Sequence, residues 1–138
     1  MQPRVTVRQL EGRKLLGVAR QHAVITDRRR EDGGSDLGCT SGELLLLAIG
    51  SCVAGSLRNF FAAKGHRSGE LKVEVGLEPS AVAAARDRIV IALCIDKALL
   101  DVATDKEIRT AATAGGVASR LCVGSEVEVR IVPATAGV

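Results

Sequence analysis

The chain has 138 residues and a net charge of +3, and apolar residues make up 46% of it. This length is typical of one domain, and this apolar content excludes wholesale disorder. Aromatic residues are only 1%, so the core must be built from Leu, Ile, Val and Ala. Such a core would gain stability if a large face were buried against a second copy of the chain.

The charge pattern gives little support to a nucleic-acid or membrane partner. The one dense basic run, Arg28 to Arg30, is followed at once by two acidic residues, which is typical of a solvated loop. No signal peptide is visible, and the longest apolar run, Leu44 to Ile49, falls short of the roughly 18 residues that span a bilayer. We therefore expect a soluble cytoplasmic protein that binds neither nucleic acid nor membrane.

Residues 1–27 are predicted to form a meander of strands. The segment Val5–Leu10 alternates apolar and polar residues, as a half-buried strand does. Lys14–Arg20 and His22–Thr26 are predicted to be two further strands or one long bent strand. From Asp27 to Ser41 the chain is charged and rich in glycine, which indicates an exposed loop.

Residues 40–65 are predicted to form a central helix. Thr40 and Glu43 have the spacing of a capping box, and Gly65 is a typical residue just past a helix end. Between them the sequence is apolar for about four turns without a polar stripe. We therefore expect this helix to be buried on every face.

Residues 71–133 are predicted to supply strands and a second helix. Alternation predicts strands at Leu71–Leu77, Arg88–Asp96 and Glu126–Val132. A second capping box, Thr104 with Glu107, begins a helix predicted to run from Asp105 to Leu121. The order β-β-β-α-β-β-α-β predicts one α+β domain over residues 1–138, with mostly antiparallel sheets and two long helices.

Cys52 is the residue on which we expect the chemistry to depend. A free cysteine in a helix is often simply a small packed residue. Here, however, its neighbours are small, and the two interior glycines, Gly50 and Gly55, cost the helix about 1 kcal/mol each relative to alanine. A helix that keeps such residues usually needs close approach by another element or a ligand. Small neighbours also leave a thiol accessible.

The other cysteines and Glu43 have competing interpretations. Cys94 is predicted to pack on a strand, Cys39 to be accessible in a loop, and Cys122 to end the second helix. None of the four cysteines forms a C-x-x-C pair, so we predict no metal site. Glu43 is a helix cap or a catalytic residue, but it lies about 13.5 Å from Cys52 along an ideal helix.

The segment Gly38 to Cys52, GCTSGELLLLAIGSC, resembles the signature G-P-T-P-x-E-L-L-L-A-A-L-G-A-C of the OsmC/Ohr family, the osmotically induced and organic hydroperoxide resistance proteins. The predicted meander, strands and second helix also fall where that family places them. The resemblance implies an OsmC-like fold. In that fold, sheets wrap around two long central helices from each subunit of an intertwined homodimer.

The resemblance also implies thiol-dependent peroxidase chemistry on organic hydroperoxides. Cys52 would attack the peroxide and become a sulfenic acid, a second cysteine would resolve it, and an external thiol would reduce the resulting disulfide. No cofactor is expected besides that external thiol. An arginine near the thiol would favour the thiolate, and we predict Arg20 for this role, with Arg13 as the alternative.

This sequence departs from the family pattern in two ways. Gly115 and Gly116 stand where the family has the cysteine and proline of its C-P-V motif, so the usual resolving thiol is missing. Cys122 is about 10.5 Å further along the helix axis, and Cys39 is the other candidate for a resolving thiol. Glu43 is nine residues before Cys52. In the hydroperoxide-resistance branch, a glutamate ten residues before the attacking cysteine helps to hold the activating arginine. The spacing of nine residues therefore resembles the broader OsmC-like branch.

Three functions are consistent with these features. The first is an OsmC-like peroxidase that uses Cys52, with or without a resolving cysteine. The second is a non-catalytic or impaired OsmC-like stress protein that binds a small ligand at the dimer interface. In the third, all four thiols are structural and Cys52 is closely packed.

Overall fold

The computed structural model describes residues 4–67, 69–79, 81, 87–114 and 127–134. The chain forms two compact units, Met1–Leu45 and Leu46–Val138. The assignment of all 138 residues to a single domain stays a prediction.

The first unit contains a three-stranded antiparallel sheet in the order β1-β2-β3. Its strands are β1 (Thr6–Gln9), β2 (Leu15–Ala19) and β3 (His22–Thr26). Strands β2 and β3 are joined by a tight hairpin, because Ala19 pairs with His22. Of the two predicted alternatives, the separate strands are confirmed and the single bent strand is wrong.

The segment after β3 is more ordered than the predicted exposed loop. It contains a 3-10 turn at Arg30–Asp32 and returns to β3 through a parallel bridge between Thr26 and Cys39. The backbone N–H of Asp27 donates to the carbonyl of Cys39 at 3.2 Å. Both ends of the loop are therefore held together by backbone contacts that composition alone did not reveal.

Helix α1 (Ser41–Ala63) matches the predicted central helix. The predicted capping box at its start is present: Thr40 N–H donates to Glu43 Oε2 at 2.7 Å, and Glu43 N–H donates to Thr40 Oγ1 at 3.2 Å. At its end Gly65 has φ +86°, a left-handed conformation that glycine adopts without steric cost.

The second unit contains strands β4 (Leu71–Glu78), β5 (Arg88–Ile95) and β6 (Val127–Pro133). Strands β4 and β5 are antiparallel, whereas β5 and β6 are parallel. The parallel pair is an exception to the mostly antiparallel pairing that the sequence predicted. It arises because β6 returns to the sheet after the helical segment that follows β5.

Two helices lie between β5 and β6 in the described residues. The short helix α2 (Lys97–Leu100) was not predicted; the Asp96 side chain accepts the N–H of Ala98 and caps it. Helix α3 (Asp105–Thr113) begins at the predicted capping box of Thr104 and Glu107. The rest of the predicted helix, residues 115–121, lies outside the described residues.

The core of the second unit is formed by one stripe of α1, the inner face of β5, and helices α2 and α3. The stripe residues are four positions apart, close to one helical turn. The most deeply buried side chains are Leu57, Phe61, Leu93, Ile95 and Ile108. As expected from the composition, all but Phe61 are aliphatic.

The prediction that α1 is buried on every face is wrong for the single chain. Its buried residues are Ile49, Val53, Leu57 and Phe61, all on one stripe. Leu45 and Leu47 are 54% and 60% exposed. Among the described helices, α1 alone is long and apolar enough to cross a bilayer, a property that core helices of soluble proteins share.

Ion pairs cross the outer face of the second sheet. Arg88 on β5 pairs with Glu78 on β4 at 2.9 Å and with Glu128 on β6 at 2.8 Å. Arg130 on β6 pairs with the same two glutamates, at 3.1 and 2.6 Å. We call these four residues the charge cluster. It links the three strands on the face opposite the apolar core.

Candidate functional site

Cys52 lies near the middle of α1 and is half-buried. It sits beside the buried stripe rather than on it, because it directly precedes the stripe residue Val53. On its own side of the helix, three or four positions away, are Ala48, which is exposed, and Gly55. A Cβ placed on Gly55 would meet no heavy atom within 4 Å. The thiol is therefore partly accessible within its unit.

The two interior glycines of α1 have different surroundings. A Cβ on Gly50 would lie 3.2 Å from Val75 Cγ2, so this glycine allows α1 to approach strand β4 closely. Gly55 has no such neighbour. The prediction that a small residue allows close approach by another element holds for Gly50, whereas a side chain at Gly55 would meet open space.

Glu43 forms an ion pair with Arg29, a residue that the sequence analysis did not single out. Arg29 Nη2 lies 3.1 Å from Glu43 Oε1. Hydrogen bonds from Thr40 and from the Arg29 guanidinium hold the pKa of Glu43 below its usual range. Glu43 is therefore a helix cap, one of the two predicted alternatives, and also the partner of an arginine, whereas a catalytic role for Glu43 stays a prediction.

The loop that carries Arg29 surrounds a buried carboxylate. Asp27 is 3% exposed and accepts backbone hydrogen bonds from Arg28, Ser35 and Leu37 at 2.7, 3.1 and 3.2 Å. Burial raises the pKa of Asp27, but the three backbone N–H donors, together with the charge of Lys14, leave the pKa below its ordinary value. The sequence signal for this arrangement was only an aspartate ahead of a glycine-rich segment.

The predicted arginine, Arg20, lies in the hairpin between β2 and β3, where its φ is +58°. Arg13 lies between β1 and β2, and both residues are exposed. Among the described residues neither side chain forms an ion pair. The structure thus pairs Glu43 with Arg29 rather than with either predicted arginine, and a catalytic role for Arg20 stays a prediction.

The remaining cysteines lie in different parts of the molecule. Cys39 is half-buried in the first unit, at the bridge to β3. Cys94 is half-buried on β5 and pairs in register with Lys72, on the sheet face opposite the core residue Leu93. Cys122 and Gly115 lie outside the described residues. Which cysteine would resolve Cys52 stays open.

Within the described ranges, no group of three or more His, Cys, Asp or Glu side chains could hold a metal ion.

An open groove of about 310 Å³ lies between the C-terminal part of α1 and helix α3. It is lined by Phe60, Lys106, Glu107, Thr110 and Ala111. Lys64 lies over the Phe60 ring and pairs with Glu107 at 3.4 Å. These contacts join α1 to the first turn of α3.

No protein-family model matches the sequence, and no curated protein matches it. Solved structures do match across nearly the full length. An OsmC-like protein from Mycoplasma pneumoniae matches with a TM-score of 0.75 and 15% identity, covering 98% of this chain and 99% of that one. The chain has the fold of the OsmC/Ohr proteins.

Two further matches of this fold carry names that refer to organic hydroperoxide resistance. An organic hydroperoxide resistance protein OsmC from Legionella pneumophila has a TM-score of 0.64 and 16% identity, with 98% of each chain covered. The organic hydroperoxide resistance protein OhrB of Bacillus subtilis has a TM-score of 0.61 and 18% identity, covering 96% of this chain and 98% of that one. The α+β, OsmC-like fold is therefore confirmed, and α1 is a core helix of that fold.

Proposed function

We propose that the protein is an OsmC-like, thiol-dependent peroxidase that reduces organic hydroperoxides through Cys52. The observation that carries the proposal is the position of this thiol, half-buried near the middle of the core helix and about one turn from the open position at Gly55. The fold supports it, because organic hydroperoxide resistance proteins share that fold over nearly the whole chain. Membership of the OsmC/Ohr family and a cytoplasmic location belong to the same proposal.

In the proposed reaction the Cys52 thiolate attacks the distal oxygen of the hydroperoxide. A sulfur–oxygen bond forms, the O–O bond breaks, and the departing alkoxide takes a proton and leaves as an alcohol. The sulfur loses two electrons and becomes a sulfenic acid. One external thiol condenses with it to a mixed disulfide and releases water, and a second thiol restores Cys52. Cys122 or Cys39 could replace the first external thiol if the chain brings either to Cys52.

The resemblance to the family calls for an arginine held by a glutamate. In this chain Glu43 holds Arg29, so we assign that role to Arg29 in preference to Arg20. A guanidinium favours the thiolate over the thiol, and the thiolate is the nucleophile. The hydrogen bond that Arg29 donates to Glu43 also raises the pKa of Arg29, so this residue stays a cation at every working pH.

The experiment that tests the peroxidase proposal is the Cys52→Ser substitution. We expect wild type to consume an organic hydroperoxide in the presence of a dithiol, and the variant to fall to the uncatalysed rate. Cys94→Ser is the matched control, because Cys94 is also half-buried but lies on the outer face of β5. It should retain the wild-type rate. Equal rates for wild type and Cys52→Ser would remove Cys52 from the mechanism.

A dimedone-type reagent distinguishes the enzyme from a binding protein. After peroxide treatment without reductant, the enzyme should carry the sulfenic-acid adduct on Cys52, as read by peptide mass spectrometry. A folded protein without this adduct would favour the non-catalytic, ligand-binding alternative. Slow reaction of native Cys52 with a thiol reagent would instead favour the structural role.

We also propose that the protein is a homodimer. The exposed leucines of α1, Leu45 and Leu47, are apolar surface on a helix that the fold places in the core. Burial of such surface against a second copy would stabilise the assembly at about 25 cal/mol per Å².

Sedimentation velocity tests the homodimer. We expect wild type to sediment as a dimer and Leu47→Lys as a monomer, because the lysine would place a charge in the interface. Leu77→Lys on β4 is the control at similar exposure and should remain dimeric. Monomeric wild type at micromolar concentration would contradict the proposal.

A further inference from the structure

We propose that Asp27 is a positioning residue for Arg29: its carboxylate closes the loop that presents this arginine, alone among three consecutive arginines, to Glu43. The inference rests on the proposed function for its catalytic meaning. The claim that Asp27 positions Arg29 depends only on contacts within the first unit. Asp27 is the one buried polar or charged residue in the part of the chain that the structure describes.

The Asp27 carboxylate joins the two ends of the loop. Oδ1 accepts the N–H of Arg28 at the start of the loop, and Oδ2 accepts the N–H groups of Ser35 and Leu37 near its end. Both oxygens are therefore acceptors at once. An ionised carboxylate can do this, whereas the amide of asparagine offers one acceptor oxygen and an NH₂ group that cannot accept.

Inside this closure the backbone around Arg29 is fixed by further hydrogen bonds. The N–H of Gly34 donates to the Arg29 carbonyl at 2.9 Å, and the N–H of Asp36 donates to the Arg28 carbonyl at 3.1 Å. A Cβ on Gly34 would lie 2.0 Å from that same Arg28 carbonyl oxygen, so the loop is too tight there for any side chain. Arg29 is thus held at its backbone by contacts that depend on the closed loop.

The loop presents only the middle one of its three arginines. Arg29 reaches Glu43, which is itself held by Thr40 at the first turn of α1. Within the described ranges, Arg28 and Arg30 are exposed and form no ion pair. In the sequence the three arginines cannot be told apart. In the structure the closed loop places only Arg29 against Glu43.

The pKa of Glu43, followed through its side-chain carboxyl carbon by NMR titration, reports whether Arg29 is in place. In wild type the pKa should lie below the ordinary value of 4.5. Arg29→Gln should raise it partway toward that value, since Thr40 continues to donate. Asp27→Asn should raise it to a similar extent, although both members of the ion pair remain. Arg30→Gln is the matched control and should leave the pKa of Glu43 unchanged.

A double variant separates positioning from a general loss of structure. If Asp27 acts through Arg29, Asp27→Asn combined with Arg29→Gln should shift the pKa of Glu43 no further than Arg29→Gln alone. Amide exchange in β5 should stay at the wild-type level and so show that the second unit is intact. A wild-type Glu43 titration in folded Asp27→Asn would overturn the proposal.

If Asp27→Asn does not fold, Asp27→Glu takes its place. This variant keeps the charge but moves the carboxylate by one methylene, so the Glu43 pKa should lie between those of wild type and Arg29→Gln. A wild-type value would again overturn the proposal.

The peroxidase rate adds a separate test. Asp27→Asn and Arg29→Gln should lower kcat/KM by the same factor, and the double variant by no more. Full activity of Asp27→Asn alongside a raised Glu43 pKa would overturn the catalytic part. If Cys52→Ser is as active as wild type, the proposed function fails, and the Glu43 titration still decides whether Asp27 positions Arg29.

Discussion

The two units of the chain are stabilised by different kinds of interaction. In the second unit, apolar side chains from α1, β5, α2 and α3 are almost fully buried. In the first unit, the only buried residue among those described is the carboxylate Asp27, while Val7, Val24 and Ile25 of the sheet are exposed. The second unit therefore contains an apolar core, and the first depends on backbone pairing and hydrogen bonds to one acid.

This difference has a consequence for the candidate chemistry. Cys52 is carried by the unit with the apolar core, on the helix that supplies much of that core. Arg29 is carried by a loop whose order depends on polar contacts. We therefore expect the thiol to be held rigidly by packing and the arginine to respond more readily to substitution, because local stability follows the density of buried contacts.

The largest effect should come from the core of the second unit. Leu57 is 0% exposed on the α1 stripe, so Leu57→Ala should lower the free energy of unfolding by about 2–5 kcal/mol. Val24 is 39% exposed on β3, so Val24→Ala should change it by no more than about 0.5 kcal/mol. Urea unfolding measures both. A similar loss of unfolding free energy in the two variants would contradict the proposed difference between the two units.

An intermediate effect should come from the loop of the first unit. Gly34→Ala places a Cβ where the Arg28 carbonyl lies, so the loop must open, at a cost of about 1–3 kcal/mol. Hydrogen exchange should show faster exchange at Ser35 and Leu37 and no change in β5. Gly42→Ala is the control, since its Cβ would meet only Thr40 Oγ1 at 4.0 Å. Faster exchange throughout β5 would mean that the loop and the core unfold together.

The smallest effect should come from the charge cluster. Hydrogen bonds from Arg130 and Arg88 lower the pKa of Glu78, and Arg130 lowers that of Glu128. These ion pairs therefore stabilise the fold fully when the pH is above 4.5, the ordinary pKa of glutamate. Their contribution is lost as the pH falls through the lowered pKa values of Glu78 and Glu128.

The Arg130→Gln substitution tests this direction of the pH dependence. The variant should be slightly less stable than wild type near pH 7, and the difference should shrink as the pH falls below 4.5. Urea unfolding across that range measures it, with Lys97→Gln as the control at an exposed lysine outside the cluster. A difference that grows in acid would contradict the assignment of these ion pairs.

The local sequence determined most of the secondary structure. The capping boxes at Thr40 and Thr104 and the left-handed Gly65 gave helix ends that the structure has, because each depends on residues a few positions apart. Alternation predicted β1, β4, β5 and β6 for the same reason, whereas β2 and β3 were predicted with one long bent strand as the alternative. The GCTSGELLLLAIGSC segment led to the OsmC-like fold and to Cys52 as the candidate nucleophile.

Only the tertiary structure decided which charges meet and which faces are covered. The pairing of Glu43 with Arg29 joins residues fourteen positions apart through a loop closed by Asp27, and no local pattern specifies that closure. The parallel pairing of β6 with β5 and the single buried stripe of α1 likewise depend on contacts between distant segments. Periodicity reports that a helix is apolar, but the partners that surround it decide how much of it is buried.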